Sequence, residues 1–351
     1  EGEHVQRVAP REVRQPEVGR LLQLLLALLL VVPVTLGGAR ALGVGAFLLE
    51  FLSQGRVPAL TAITAPPRRQ PMPAAGPAVD RYRARALGPA VPAVLVHGFA
   101  PDGKNDPRAG QAARLLARAG FDVAVPSIPG LMQGRLRADD VRPVVDTAAA
   151  LARDRGRPVT LIGVSVGAGP ALLAAAEPRL RDAVAAVVSL GGYASATELL
   201  RYFLTGDYAW DEVRGHTEHD AEIVRHFVSA NADLLDARTR AAFLSRDRAR
   251  IAGLLAAPPP RLRGLLEALS PERVVADIPA RLLLIHGRGD RAVPYTETLR
   301  LAAARPDRTT VVLVGLFDHV EGAGNPVQLT DIADLLALWR EMYALLASGE
   351  R

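Results

Sequence analysis

A chain of 351 residues, 49% apolar and 23% charged, is long enough for a large buried core and has the balance of a globular protein, not a disordered one. It contains no cysteine, which excludes disulfides and thiolate chemistry. Residues 1–85 carry 11 arginines against 6 acids and residues 86–351 carry 31 basic against 31 acidic side chains, so the net charge of +5 belongs to the N-terminal part. By charge, the bulk of the chain is not a nucleic-acid binder.

After a mixed-sign stretch to Arg20, residues 21–36 are apolar except for Gln23 and Thr35, and Gly37, Gly38 and Ala39 follow before Arg40. Counted to Ala39, this is about the length that spans a bilayer with little tilt. Pro33 and the two glycines weaken the last turns as helix, and a second apolar segment, 42–52, follows at once. Three readings stay open: a membrane anchor, a helical arm packed on the domain or a partner, and a secretory signal peptide ending near Ala39-Arg40-Ala41. Residues 1–64 are therefore read as an arm with hydrophobic helices that contacts a membrane through 21–52, a cytoplasmic soluble form being the alternative. Residues 65–77, rich in proline, read as a semi-rigid linker to a domain spanning 78–351.

From Val79 strands and helices alternate. A short strand is expected over 80–86, and the usual opening antiparallel hairpin of the sheet looks shortened. Residues 93–99 form a buried strand ending in a His97-Gly98 turn; 107–120 form an amphipathic helix closed by glycine, 121–126 a strand, 138–155 a helix and 159–164 a strand. That last strand leads into Gly163-Val164-Ser165-Val166-Gly167 and a helix-forming run, 171–176. A serine on such a strand-to-helix turn sits on strained backbone, which small residues two before and two after allow to close. A strand over 183–190 follows. Runs apolar on both faces, joined by helical crossovers, predict a mostly parallel sheet of about seven strands with helices on both sides. Residues 193–280 offer helix formers and no convincing strand, which predicts a helical cap over the open end of the sheet. Strands resume at 280–285, before His286-Gly287-Arg288-Gly289-Asp290, and at 309–314, before Asp318-His319; a helix over 329–346 contains Trp339.

Together the His97-Gly98-Phe99 turn, the Gly163-x-Ser165-x-Gly167 elbow and the late Asp290 and His319 loops make residues 78–351 resemble an α/β-hydrolase, most similar to bacterial dienelactone hydrolases and prolyl-oligopeptidase-type esterases. The order Ser165, Asp290, His319 is that family's order of nucleophile, acid and base. The resemblance implies an α/β fold with a serine that attacks an acyl bond, His319 as the base and Asp290 as its orienting acid. It also implies an oxyanion hole from the backbone N–H groups of Phe99 and Val166, with His97, Gly98, Gly163 and Gly167 shaping the turns. Asp318 is the rival acid but, next to His319, is poorly placed to reach its ring; His97 and His286 read as turn stabilisers. His216, His219, Asp220 and His226 could suggest a metal, but their spacing matches no metal motif and they read as a solvated cap segment. The expected function is hydrolysis of a carboxylic ester or similar acyl bond in a small or lipid-like substrate, without cofactor or metal. The alternatives are an acyltransferase, thioesterase or peptidase on the same triad, and a noncatalytic, membrane-tethered binding protein.

Overall fold

The computed structural model describes residues 38–76, 78–85, 89–315, 317–318, 321–322 and 329–348. Its centre is an eight-stranded sheet in the order β1-β2-β4-β3-β5-β6-β9-β10, with β1 Arg68–Pro71, β2 Val79–Arg83, β3 Val91–Val96, β4 Phe121–Pro126, β5 Val159–Val164, β6 Val184–Leu190, β9 Arg281–Gly287 and β10 Thr309–Val314. From β4 to β10 neighbouring strands are parallel, whereas β1 on β2 and β2 on β4 are antiparallel. The expected seven strands are thus eight. Residues 65–77, expected as a linker, contribute the edge strand β1, so the opening hairpin is present. Proline is tolerated there because an edge strand leaves one row of backbone groups unpaired.

An ion-pair set welds this antiparallel corner. Arg81 on β2 makes a bidentate contact with Asp122 on β4 at 2.7 and 2.6 Å, and its other nitrogen reaches Asp154 at 2.8 Å. On the neighbouring position Asp80 accepts from Arg69 of β1 at 2.6 Å and from Lys104, the only lysine of the chain, at 2.7 Å.

The inner strands are buried on both faces because helices cover both. Val94 and Val96 of β3, Leu161 of β5 and Leu282 and Leu284 of β9 pack on one side with Val144 and Leu151 of helix α5, Val141–Arg155, and Leu172 of α6, Ala168–Ala176. Ala93, Leu95, Ile162 and Leu283 pack on the other, with Leu116 of α3, Pro107–Ala119, and Leu335 and Leu338 of α13, Leu329–Ala347. Alternate residues of each strand therefore go to opposite cores. Asp106 caps α3 by accepting from the amides of Arg108 and Ala109, and Gly120 closes it at φ 116°.

Residues 21–37 lie outside the described residues. The second apolar segment belongs to α1, Gly38–Leu52, which turns Val44, Phe47, Leu48 and Leu52 into the core beside α13 rather than presenting them to lipid. Glu50 ties α1 to α2, Ala59–Ile63, by accepting from the amides of Leu60 at 2.9 Å and Thr61 at 2.7 Å. Among the described residues no helix is long and apolar enough to cross a membrane.

The insertion after β6 is helical, as expected, with α7 Ala196–Thr205, α8 Ala221–Ala230, α9 Ala237–Ser245, α10 Arg248–Ala256 and α11 Pro260–Ala268. It also contains a hairpin that the sequence reading lacked, β7 Asp207–Trp210 on β8 Val213–His216. Neither strand has an apolar alternation to announce it. Its stability comes from outside: the Arg300 guanidinium lies 4.3 Å from the Trp210 ring centre, and Tyr208 packs edge-on against Tyr202.

Candidate active site

Ser165 stands where β5 ends. Its φ is 54°, in the left-handed region that a non-glycine residue occupies only at a cost, and Ser165–Gly167 form a single tight turn that runs straight into α6. Two glycines make this turn sterically accessible. A Cβ at Gly163 would lie 2.5 Å from the Ala168 Cα, and one at Gly167 would lie 2.2 Å from the His97 carbonyl oxygen and 2.6 Å from that of Val96. Both contacts are with backbone, so neither position has room for a larger residue. Val166 lies in the first turn of the helical run, where amides have no intrahelical acceptor and the helix dipole favours negative charge.

The end of β3 meets the elbow directly. A Cβ on Gly98 would stand 3.1 Å from the Ser165 Cβ and 3.7 Å from its Oγ, so the His97-Gly98-Phe99 turn runs past the serine. His97 anchors that turn: its Nδ1–H donates to the Gly98 carbonyl at 2.7 Å, and its Nε2 accepts from the Ile128 amide at 3.2 Å. Burial depresses its pKa, which keeps the imidazole neutral and suits it to shaping the turn. Phe99 is 48% exposed.

Asp290 lies in the loop after β9. Its Oδ1 accepts from the amides of Ala292 at 2.8 Å and Val293 at 3.0 Å, and its Oδ2 lies 3.2 Å from His286 Nε2. His286 is fully buried, with Nδ1 2.7 Å from the Thr298 hydroxyl and Nε2 2.9 Å from the Val293 carbonyl. The imidazole therefore orients the carboxylate loop and faces no solvent. His319 lies outside the described residues. Asp318 pairs through its backbone with Glu321 in a short antiparallel bridge. The structure thus brings Ser165, Gly163, Gly167, His97, Gly98, Phe99 and Val166 into one place, sets Asp290 in the loop following a strand of the same parallel set, and does not describe the histidine.

Several residues that no motif announced hold this region. Tyr202 of α7 donates its hydroxyl to the Arg291 carbonyl at 2.7 Å, fixing the loop that holds Asp290 to the cap. Asn231, fully buried, accepts from the Leu136 amide at 2.8 Å and donates to the Gly134 carbonyl at 2.9 Å, while Arg135 pairs with Asp233 at 2.7 Å. Glu297 of α12, Thr296–Ala304, accepts from the amides of Ala194 and Ser195 at 3.0 and 2.8 Å; burial raises its pKa. The partners of these contacts lie 89 or more residues apart, and no local pattern joins them.

The cap also encloses an apolar cluster, with Tyr193, Leu200, Leu204, Val224, Val228, Phe243 and Leu262 in its centre. Val166, next to the serine, and Val293, whose amide binds Asp290, pack into it, as does Leu136. The candidate metal ligands of the cap have other occupations: His216 Nδ1 lies 2.8 Å from Asp207 and the His219 ring packs edge-on against Tyr202. Among the described residues no group of three or more metal-capable side chains converges.

The sequence model of the alpha/beta hydrolase family matches residues 93–338, more than half of the chain. Among solved structures the chain is similar to a 2,6-dihydroxy-pseudo-oxynicotine hydrolase, at 17% identity over 97% of this chain and 91% of that one, with a TM-score of 0.49. It is also similar to a dienelactone hydrolase from Anabaena variabilis, at 17% identity over 80% and 98% of the two chains and a TM-score of 0.46. A meta-cleavage product hydrolase from Pseudomonas fluorescens shares 18% identity over 80% and 98%, with a TM-score of 0.44. No curated protein matches. With the parallel sheet, the elbow and the matched span together, the chain belongs to the alpha/beta hydrolase family.

Proposed function

We propose that the protein is a serine hydrolase that cleaves a carboxylic ester, or a closely related acyl bond, through an acyl-enzyme on Ser165. The observation that carries this reading is the serine's left-handed backbone at the strand-to-helix junction, closed by two glycines that admit no side chain and packed closely against a third, Gly98. Nothing in packing alone calls for a strained serine there, and such strain is characteristic of sites where a side chain must be presented.

The serine hydroxyl attacks the carbonyl carbon while His319 takes its proton. The tetrahedral oxyanion lies between the backbone N–H groups of Phe99 and Val166. His319 returns the proton to the departing alkoxide, leaving an acyl-serine and a free alcohol. Water then attacks the acyl carbon, giving its proton to His319, and the serine leaves with that proton as the carboxylic acid is released. Asp290 orients the imidazole and stabilises its cation. The apolar cap cluster that reaches Val166 favours an acyl group of apolar character. Residues 21–36 hold the protein at a membrane. In support, residues 21–36 are apolar except for Gln23 and Thr35 and, counted to Ala39, reach about the length that spans a bilayer.

The decisive experiment is labelling by a fluorophosphonate probe together with hydrolysis of short p-nitrophenyl esters. Wild type is expected to do both; Ser165→Ala and His319→Ala are expected to lose labelling and to lower kcat by at least about 10³-fold. Labelling that survives Ser165→Ala overturns the reading. Lengthening the acyl group from acetyl to octanoyl is expected to raise kcat/KM, and the whole chain is expected to stay in the pellet after carbonate extraction of membranes.

A further inference from the structure

Beside the β7–β8 hairpin the cap contains a cavity of about 240 Å³, and Ser165 is not among the residues that line it. Its walls are basic: the guanidinium groups of Arg246 and Arg248 and the rings of His216 and His219, against one carboxylate, Glu218. We propose that this cavity binds a small oxyanion, a carboxylate or phosphate group carried by a small molecule.

The four basic side chains are not equivalent. His216 donates Nδ1–H to Asp207, which leaves Nε2 to accept from Arg248 at 3.0 Å, and Arg248 also lies 3.4 Å from Asp207. That part of the wall is internally balanced. Arg246 is different: it donates to the His219 carbonyl at 2.9 Å, and no carboxylate among the described residues pairs with it. It is also one of four described non-glycine residues with positive φ, at 55°, so the turn between α9 and α10 presents this guanidinium at a cost in backbone strain. His219 Nε2 is buried and has no hydrogen-bond partner among the described residues, which is itself costly. Burial first, then the electrostatic effect of His216, Arg246 and Arg291, depress the His219 pKa against the opposing Tyr202 backbone, so the surroundings of the ring are electropositive.

An anion seated between Arg246 and His219 answers each of these features. It neutralises the unpaired guanidinium, reverses the field at the imidazole and lets a protonated Nε2–H donate to it. Gly206, at φ 78°, lets the wall close tightly behind the cavity: a Cβ there would lie 2.0 Å from the Thr217 carbonyl oxygen and 2.6 Å from His216 Cε1. The volume is below the range of drug-sized pockets and suits one charged group with little attached. The His219 ring lies 4.7 Å, edge-on, from that of Tyr202, whose hydroxyl holds the Arg291 carbonyl beside Asp290, so the occupied cavity is one side chain away from the acid loop.

The test is titration of the full chain with inorganic phosphate and, separately, with acetate, read by thermal shift and calorimetry against sodium chloride at equal ionic strength. A saturable rise in Tm beyond the chloride control is expected, with apparent affinity weakened roughly tenfold or more in Arg246→Gly and His219→Gln, the scale of one charge-assisted hydrogen bond. Arg246→Gly relieves the positive φ, so its Tm without anion is expected to match or exceed wild type. The same affinity in Ser165→Ala separates this site from the proposed chemistry. A KM advantage for p-nitrophenyl esters of monoacids bearing a second carboxylate, lost in Arg246→Gly, assigns the anion to the substrate; equal modulation of neutral and charged esters by phosphate assigns it to an effector. No saturable shift, or equal affinity in both variants, overturns the proposal.

Discussion

The contact between the β3 turn and the elbow can be tested with two glycine-to-alanine substitutions that separate fold from chemistry. In Gly167→Ala the new methyl would lie 2.2 Å from the His97 carbonyl oxygen, more than 1 Å inside ordinary contact, which begins near 3.4 Å. The glycine's φ is −69°, which alanine adopts freely, so the entire penalty is steric. Backbone on both sides must separate, and the upper end of the overpacking range, about 3 kcal/mol, is the expected loss. In Gly98→Ala the methyl meets Ser165 Cβ and the Val164 carbonyl at 3.1 Å, which a shift of a few tenths of an ångström relieves. The fold is expected to lose less than about 1 kcal/mol. That shift, however, moves the Phe99 amide relative to the serine. Loss of a whole oxyanion donor is worth about 10²–10³ in kcat, so a partial misplacement is expected to cost on the order of 10- to 100-fold. Differential scanning calorimetry and p-nitrophenyl ester kinetics distinguish the two variants: Gly167→Ala should melt at least about 5 °C lower. Gly98→Ala should melt near wild type and turn over slowly. A Gly167→Ala protein that melts with wild type, or a Gly98→Ala protein with full kcat/KM, refutes the close approach.

Removing one partner of the buried corner pair tests its role. Arg81→Met strands Asp122, which is 1% exposed and, among the described residues, keeps Arg155 at 3.4 Å as its remaining cation; urea unfolding is expected to show a loss of about 3 kcal/mol or more, largely recovered by adding Asp122→Leu. The neutral, buried His97 makes stability depend on pH with a defined sign. Its folded pKa lies below the ordinary 6.5, so the unfolded chain takes up a proton that the folded chain refuses, and stability is present above pH 6.5 and is lost as pH falls through the lowered value. Urea midpoints measured at pH 7.5 and 5 should therefore differ less in His97→Gln than in wild type, and equal slopes would sink this assignment.

Local patterns carried the features whose physics is local. The run of apolar residues before Gly163, and the small residues bracketing Ser165, already specified a strand feeding a tight turn, because the strain at φ 54° is tolerated only with glycine at both flanks. Helix α3 was legible from its amphipathic spacing and its closing glycine; the structure adds the Asp106 cap. The edge strand β1 was not, since Arg68-Arg69-Gln70-Pro71 has neither alternation nor β-branched residues; it is a strand because β2 offers it a partner and Asp80 binds its Arg69. The cap hairpin likewise depends on Arg300 and Tyr202, which no window around residues 207–216 contains.

What the amino-acid order determined by itself was therefore the parallel sheet, the position of the cap and the tight turn at Ser165, all of them set by hydrophobic period and by residues within a few positions of one another. Only the tertiary structure decided how these are held together: that α1 packs into the core, that Gly98 passes the serine, that Tyr202 and Asn231 tie the cap to the loops around it, and that Arg246 and His219 share a cavity. Those contacts join residues tens of positions apart, and contacts at that separation are selected by how surfaces bury and polar groups are satisfied in three dimensions, which no local pattern records.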